Sequence, residues 1–339
     1  MRILYAAMKY DYGDPRRGYS FEHYNFFDFF QQAGHEVLYF DFMDLLRREG
    51  KESMNRRLLE VARVEKPHLV FFVLFTDELD KSVIRQISDL PEVRTLNWFC
   101  DDHWRFDNYS KFWAPQFNWV ITTANSAVSK YKELQLNNFI KSQWGCNHLL
   151  YRKLDLPLEY DVTFVGQPHG NRRQMVQGLR DRGVSVQCFG YGWENGRVTQ
   201  NEMIRIFNQS RINLNFSNAS AGSRTGIVGA GLDWITRSVF PAASPAHSEQ
   251  IKGRNFEVPG CGGFLLTAKA DDLKSYYQPE KEVVCFDGID ELADKIKYYL
   301  ANDQERQTIA ERGYQRTLRE HTYTQRFQQI FETMGLLDG

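Results

Sequence analysis

The feature that most constrains the fold is an alternation of short apolar runs with amphipathic helical stretches. The apolar runs of the first half predict strands at residues 3–7, 36–40, 69–74, 95–99 and 119–122. Helical stretches at 21–32 and 54–64 lie between them, the first ended by Gly34 and the second stopped before Pro67. Strands that alternate with helices in this way are typical of a doubly wound parallel sheet.

The alternation stops near residues 153–159 and then begins again, which predicts a second domain of the same kind. The second series predicts strands at 161–165, 185–189, 212–216, 264–267 and 283–286. It predicts helices at 172–182, 201–208, 289–301 and 304–319. We therefore expect an α/β protein with two Rossmann-like domains, 1–155 and 156–321, that face a cleft. A last helix within 322–339 has one apolar face, formed by Tyr323, Phe327, Ile330, Phe331 and Met334.

Composition and charge narrow the class of partner. The 339 residues carry a formal net charge of -1 with acidic and basic residues interspersed, so nucleic acid is not an expected partner. The five cysteines lie far apart without metal-ligand spacing, which favours a reducing, cytoplasmic compartment. The apolar run 3–7 is too short for a signal-peptide core or a membrane span, although peripheral membrane association stays possible.

The strongest local motif is an acidic-basic-acidic segment at 249–257. Glu249 and Glu257 lie eight residues apart, with Lys252, Gly253 and Arg254 between them. The guanidinium of Arg254 suits a phosphate, and a short helix that starts near Asn255 would present free N–H groups to an anion. Lys252, Arg254 and Asn255 are therefore predicted to bind a diphosphate.

One turn into that helix, Glu257 offers two carboxylate oxygens that could accept hydrogen bonds from the vicinal hydroxyls of a ribose. The plainer alternative is an ordinary solvated helix start followed by a glycine cap. Both interpretations stay open on the residues alone.

In an open parallel sheet the ligand binds outside the carboxyl ends of the strands, so the loops there hold further candidates. Arg172 and Arg173 open a helix after the strand at 161–165, and either could neutralise a diphosphate, unless the pair is only a surface feature. The next strand is followed by Gly190, Tyr191 and Trp193, and then by Val198. These four residues could surround a nucleobase, or they could form a plain surface turn.

The first half has its own polar cluster, at the end of the strand 95–99. Asp102 could hold acceptor hydroxyls there, and His103 could relay a proton because its unperturbed pKa lies near neutrality. The alternative is a helix N-cap with His103 on the surface. A glycine-containing loop at 12–19 could also contact the acceptor or the sugar, or be a simple connection.

One long segment, 217–248, interrupts the alternation of predicted strands and helices. It is rich in Ala, Gly and Ser and contains Asp233, Trp234 and Arg237. Its length suggests either an active-site lid or an insertion.

Several of these segments resemble a known family. The stretch from Lys252 to Thr267, with 276–284 and 298–321 beyond it, looks like the signature of the spore-maturation (CgeB-like) glycosyltransferases. The resemblance extends upstream to Trp98-Phe-Cys-Asp-Asp102, Phe164-Val-Gly166, Gly190-Tyr-Gly-Trp193 and Ile212-Asn-Leu-Asn215, in order. These proteins are similar to the retaining glycosyltransferases with the GT-B fold and a Glu-x7-Glu motif. The usual Gly-Phe-Gly context of the first glutamate is absent around Glu249.

The resemblance implies a nucleotide-diphosphate-sugar donor, UDP- or GDP-linked, on the C-terminal domain. It implies that Glu257 binds the ribose, that Glu249 lies near the transferred sugar, and that the last helix crosses back onto the N-terminal domain. Transfer would proceed with retention, to a carbohydrate, glycan, protein or small-molecule acceptor. Independently of the resemblance, we expect that transfer needs no divalent metal, because Asp101 and Asp102 lie in the half opposite the predicted nucleotide, and that it needs no other cofactor.

Two other functions fit the same sequence. The first is a sugar-nucleotide epimerase or hydrolase, and the second is a non-catalytic protein that binds glycans or nucleotide sugars. An NAD-dependent dehydrogenase fits less well, because neither half carries Gly-x-Gly-x-x-Gly directly after a strand.

Overall fold

The computed structural model describes residues 1–217 and 249–337 of the chain. Within them lie two parallel sheets. The strands are β1 (Arg2–Ala7), β2 (Glu36–Phe40), β3 (Leu69–Val73), β4 (Arg94–Phe99), β5 (Trp119–Thr122), β6 (Phe139–Lys141), β7 (Tyr160–Val165), β8 (Gln187–Phe189), β9 (Ser210–Asn215), β10 (Leu265–Ala268) and β11 (Val284–Phe286). The predicted α/β architecture is confirmed.

Helices alternate with these strands. They are α1 (Asp28–Gln32), α2 (Phe42–Glu65), α3 (Lys81–Ser88), α4 (Asp102–Arg105), α5 (Lys111–Trp113), α6 (Asn125–Glu133), α7 (Arg172–Asp181), α8 (Gln200–Gln209), α9 (Arg254–Gly260), α10 (Gly288–Ala301), α11 (Asp303–Glu320) and α12 (Tyr323–Met334). Two further segments, His23–Phe27 and Phe106–Ser110, are π-helical.

The first compact unit comprises Met1–Gln143 and Tyr323–Gly339. Its sheet has the order β2-β1-β3-β4-β5-β6, and every neighbouring pair is parallel. All five residues of β3 are buried, as expected for a strand that is covered on both faces. The chain order reverses between β1 and β3, so this is the topological switch point at which open α/β sheets bind ligands.

Helix α12 packs within this first unit. Tyr323, Phe327 and Ile330 are at most 2% exposed. The ring of Phe327 lies 4.5 Å from that of Phe30, and the ring of Tyr323 lies 5.4 Å from that of Phe26, measured between ring centroids. The helix therefore buries its apolar face against residues from the beginning of the chain.

The second unit is Trp144–Thr322, with the strand order β11-β10-β9-β7-β8. It begins earlier than the expected boundary at 155, because the connecting segment hydrogen-bonds to this unit. The backbone N–H of Cys146 donates to the carbonyl of His321 at 2.8 Å, and that of Leu154 donates to Asn208 at 2.7 Å. The switch point of this sheet lies between β7 and β9.

Most of the predicted lid or insertion, residues 218–248, lies outside the described residues.

Candidate functional site

The loops after β7 and β8 touch each other at the carboxyl edge of the second sheet. The indole N–H of Trp193 donates to the carbonyl of Gly166 at 2.8 Å. Gly190 has a φ of 137°, and a Cβ atom there would come within 2.3 Å of the same carbonyl oxygen. Only a glycine permits so close an approach of two backbones. The predicted Gly190–Trp193 turn is thus fixed against the loop after β7.

Arg172 lies at the switch point of this sheet. Its guanidinium donates from Nη1 to the carbonyl of Gln167, after β7, at 2.8 Å, and from Nη2 to that of Phe216, after β9, at 3.3 Å. The same group lies over the ring of Phe164, 5.4 Å from its centroid. A positive charge is therefore held where the carboxyl ends of β7 and β9 diverge.

Arg173 has a different position. It is exposed, lies over Trp193 at 5.1 Å from the ring centroid, and donates to the carbonyl of Gly192. The sequence left the choice between the two arginines open. The structure places Arg172 at the switch point and Arg173 on the outer side of the Trp193 turn.

Helix α9 contributes a second guanidinium group to the same edge. Arg254 donates from Nε to the carbonyl of Val165, the last residue of β7, at 3.3 Å. Its Nη1 donates to Glu257, and the other oxygen of Glu257 accepts from the hydroxyl of Tyr151 at 2.6 Å. Burial alone would lower the pKa of Arg254, but the Glu257 carboxylate raises it overall. Arg254 stays cationic and is held in place.

The placement of Glu257 departs from the prediction. Its side chain is 0% exposed, whereas a contact with ribose hydroxyls needs an accessible carboxylate. The first turn of α9 directs Glu257 inward, where Arg254 of the same helix and Tyr151, which is distant in sequence, satisfy its charge. In this structure Glu257 positions Arg254.

Some of the N–H groups near Asn255 that were expected to be free are paired within the first turn of α9. The backbone N–H groups of Asn255 and Glu257 donate to the carbonyls of Lys252 and Gly253, at 2.9 and 3.0 Å. Gly253 already has helical angles, so the chain turns one residue earlier than expected. The side chain of Asn255 is buried and accepts from the backbone N–H of Lys252 at 2.9 Å.

The buried amide of Asn255 also ties α9 to the sheet. It accepts from Asn215 of β9 at 3.0 Å and donates to Thr267 of β10 at 3.2 Å. Asn215 itself donates to Thr267 at 3.1 Å. Buried polar networks with every member paired fix a local geometry, so Asn255 orients the helix and does not face a ligand.

The remaining predicted residues of the second unit differ in exposure. Tyr191 is 57% exposed at the tip of its turn, and Val198 is half-buried just before α8. Lys252 is half-buried beside α9. Glu249 is exposed and directly follows the undescribed segment 218–248. The role of Glu249 near a transferred sugar stays a prediction.

In the first unit, Asp102 does not point outward as predicted. It is the first residue of α4, is 2% exposed, and accepts from the hydroxyl of Tyr131 at 3.0 Å. Burial raises the pKa of Asp102 to about 6, although hydrogen bonds from Ser110, Thr122 and Tyr131 oppose the shift. His103 is half-buried on the same short helix. Asp102 therefore belongs to the interior of the unit.

Sequence reasoning missed Tyr151, since it lies 106 positions before Glu257 and no local pattern marks it. It also missed Arg105 and Glu22 in the first unit. Both line a cavity with Asp101 and Tyr12, the latter from the glycine-containing loop that the sequence did single out.

Within residues 1–217 and 249–337, no helix is long and apolar enough to cross a membrane. In the same ranges, no group of three or more His, Cys, Asp or Glu side chains is arranged to hold a metal ion.

Comparisons with known proteins agree with the architecture. Residues 172–332 match the model of a family described as glycosyl transferase-like. Spore protein CgeB of Bacillus subtilis (strain 168) is 22% identical over 213 residues, which cover 60% of this chain and 64% of CgeB. The match thus spans less than two thirds of that relative.

The fold is similar to several solved structures over nearly the whole chain. Anabaena Alr3699/HepE in complex with UDP-glucose has a TM-score of 0.64 at 13% identity, covering 99% of this chain and 100% of that one. Sucrose-phosphate synthase from Thermosynechococcus elongatus has a TM-score of 0.62 at 10% identity, covering 99% and 98%. The predicted resemblance to CgeB-like glycosyltransferases and the predicted GT-B fold are confirmed.

Proposed function

We propose that this protein transfers a sugar from a nucleotide-diphosphate sugar to a hydroxyl-bearing acceptor. The observation that carries the proposal is the pair of guanidinium groups of Arg172 and Arg254 at the carboxyl edge of the second sheet. Each is anchored to a main-chain carbonyl at the end of β7. Fixed cations at a switch point suit the diphosphate of a nucleotide.

The same two groups would serve the chemical step. As the bond between the sugar and the diphosphate breaks, negative charge grows on the departing phosphate. Preorganised donors that need no reorientation stabilise such charge most effectively, and both arginines are already held by carbonyls. Arg254 is held further by Glu257, which Tyr151 anchors in turn.

For the donor we propose a uridine diphosphate sugar, with a GDP-sugar as the second choice. The support is the similarity in fold to HepE, which was crystallised with UDP and with UDP-glucose. We assign the acceptor to the first unit. Retention of configuration and independence of metal complete the proposal.

The test compares UDP binding and UDP release from UDP-glucose for Arg172→Gln, Arg254→Lys and Arg173→Gln. Loss of a charge-assisted hydrogen bond costs about 1.5–3 kcal/mol, so Arg172→Gln should weaken UDP binding roughly 10- to 150-fold. Arg254→Lys keeps a positive charge beside the buried Glu257 but loses the planar guanidinium group. This variant should therefore also bind UDP more weakly than the wild type.

Arg173→Gln is the matched control, because Arg173 is the neighbouring residue of α7 and lies away from the switch point. Equal losses for Arg172→Gln and Arg173→Gln would contradict the proposed site. Nucleotide release at the same rate with and without sugar acceptors would indicate a hydrolase.

A further inference from the structure

The first unit contains a cavity of about 210 Å³ at its own switch point. Ala7 at the end of β1, Val73 at the end of β3 and Phe99 at the end of β4 line its floor. This is the position at which open α/β sheets bind ligands. None of the residues that the sequence singled out as catalytic lines it.

The backbone around the cavity is unusual on two sides. Glu22 directly precedes the π-helix His23–Phe27, and Arg105 directly precedes the π-helix Phe106–Ser110. Single π-turns occur frequently at functional sites. Tyr12, on the rim, has a φ of +50°, and such strained non-glycine residues also cluster at ligand sites.

That strained loop is braced from its own unit. Arg17 forms an ion pair with Asp11 at 2.9 Å and lies over the ring of Tyr12. Arg47 donates to the carbonyl of Gly13. The loop is therefore held in its shape before any ligand arrives.

Arg105 supplies a donor that has no acceptor among residues 1–217 and 249–337. The residue is only 8% exposed, and within this described part of the chain its Nη2 is buried without a hydrogen-bond partner. Its Nη1 donates to the carbonyl of Phe75 at 2.8 Å, and its guanidinium lies 3.9 Å from the centroid of the Tyr109 ring. Buried polar groups are almost always paired, so this donor indicates that a ligand atom or a water completes the site.

The other charged side chains that line the cavity are carboxylates. Glu22, Asp11 and Asp101 line it, and the two aspartates are close enough to Glu22 to raise its pKa. These carboxylates would repel an anionic ligand, and Arg105 would repel an ammonium ligand. A hydroxyl group both donates and accepts, so it satisfies both kinds of partner.

The size and the apolar surface of the cavity further restrict the class of ligand that it can bind. The cavity is smaller than the ~300–1,000 Å³ typical of drug-sized ligands. The rings of Tyr12 and Tyr109 and the side chain of Phe75 provide apolar walls. Sugar rings present C–H faces to such walls and hydroxyls to polar groups.

We propose that this cavity binds one neutral, hydroxyl-rich sugar ring, with Arg105 donating to one of its hydroxyl oxygens and Glu22 and Asp101 accepting from others. The identification of this sugar ring as the acceptor rests on the proposed transferase activity. The proposal that the cavity binds a sugar ring does not.

The experiment measures binding without nucleotide, by calorimetry and saturation-transfer NMR at pH 7.5. The probes are the neutral hexoses glucose, galactose and mannose, with glucuronate and glucosamine as charged counterparts. We expect at least one neutral hexose to bind more tightly than both charged sugars. Arg105→Gln and Glu22→Gln should each weaken that binding at least about tenfold. Arg63→Gln and Glu60→Gln, at exposed positions of α2, should leave it unchanged.

Binding of UDP to the same variants separates this proposal from the proposed function, because UDP affinity should not change. If Arg105→Gln does not fold, the hexose affinity of Glu22→Gln alone tests the proposal. The proposal is overturned if the binding of no neutral hexose depends on Glu22, or if a charged sugar binds more tightly than every neutral hexose.

Discussion

At the scale of single residues, Gly190 determines how closely two loops of the second unit can approach. An added Cβ would lie 2.3 Å from the carbonyl oxygen of Gly166, which is backbone and cannot move cheaply. We expect Gly190→Ala to lower the free energy of unfolding by about 1–3 kcal/mol and to weaken nucleotide binding. Urea denaturation and UDP titration measure both.

Gly183→Ala is the control for this substitution. Gly183 also has a positive φ, of 75°, but a Cβ there would meet nothing within 4 Å. Its change therefore reports the cost of a left-handed backbone conformation without a steric clash. A loss of stability no larger for Gly190→Ala than for Gly183→Ala would refute the clash.

Glu22 should make stability depend on pH. Burial, and then the carboxylates of Asp11 and Asp101, raise the pKa of Glu22 from 4.5 to about 7. The folded state therefore holds this proton more tightly than the unfolded chain does. The resulting stabilisation is complete below about pH 4.5 and is lost as the pH rises towards 7.

The measurement is urea unfolding of the wild type and of Glu22→Gln at pH 5, 6, 7 and 8. The wild type should lose stability relative to the variant by at most about 1.4 kcal/mol per pH unit between pH 5 and 7. The exposed Glu60→Gln provides the baseline. Parallel curves for the wild type and Glu22→Gln would disprove the raised pKa.

The sequence predicted residues that follow strands, but not the direction of their side chains. Arg172, Arg254 and Trp193 all lie at the predicted edge of the second sheet. Glu257 and Asp102 are on the predicted elements yet point inward, because Tyr151 and Tyr131, distant in sequence, offer them buried partners. Periodicity cannot reveal such long-range pairs.

At the scale of elements, α12 illustrates what periodicity does reveal. Its apolar face is buried against Phe26 and Phe30 within the first unit. We expect Phe327→Ala to lower the free energy of unfolding by about 3–5 kcal/mol. The side chain of Phe327 is 2% exposed, and its removal leaves a cavity among packed rings. Deleting the chain after His321 should destabilise the first unit further and expose apolar surface to a dye such as ANS.

Gln329→Ala, on the exposed face of α12, is the control for thermal and urea unfolding. Unfolding of Phe327→Ala at the same urea concentration as this control would contradict the packing argument.

Long elements with clear periodicity could be predicted from the sequence, and short or half-buried ones could not. Strands β2 and β5 have the expected bounds, 36–40 and 119–122. Strand β6 has only three residues, all half-buried, so it carries no recognisable pattern. The observed boundary between the units differs from the predicted one for a related reason. It depends on hydrogen bonds from the backbone N–H groups of Cys146 and Leu154, which sequence composition does not report.

At the scale of the whole molecule, each unit gathers polar groups at its own switch point, but the two sets differ in charge. The second unit presents the guanidinium groups of Arg172 and Arg254. The first unit presents Arg105 with the carboxylates of Glu22 and Asp101. The physical expectation is that the second unit binds the anionic diphosphate and the first unit binds a neutral ring.

This division of charge leads to the prediction that transfer needs no divalent metal. A metal-dependent transferase uses carboxylates to bring a cation to the diphosphate, whereas here arginines are already fixed at the proposed diphosphate site. Asp102 is buried against Tyr131, and Asp101 lines the cavity of the first unit. The initial transfer rate should therefore be the same in excess EDTA as with added Mg²⁺ or Mn²⁺. Loss of activity in EDTA with full recovery by one metal would show that a carboxylate-bound cation, not Arg172 and Arg254, neutralises the leaving diphosphate.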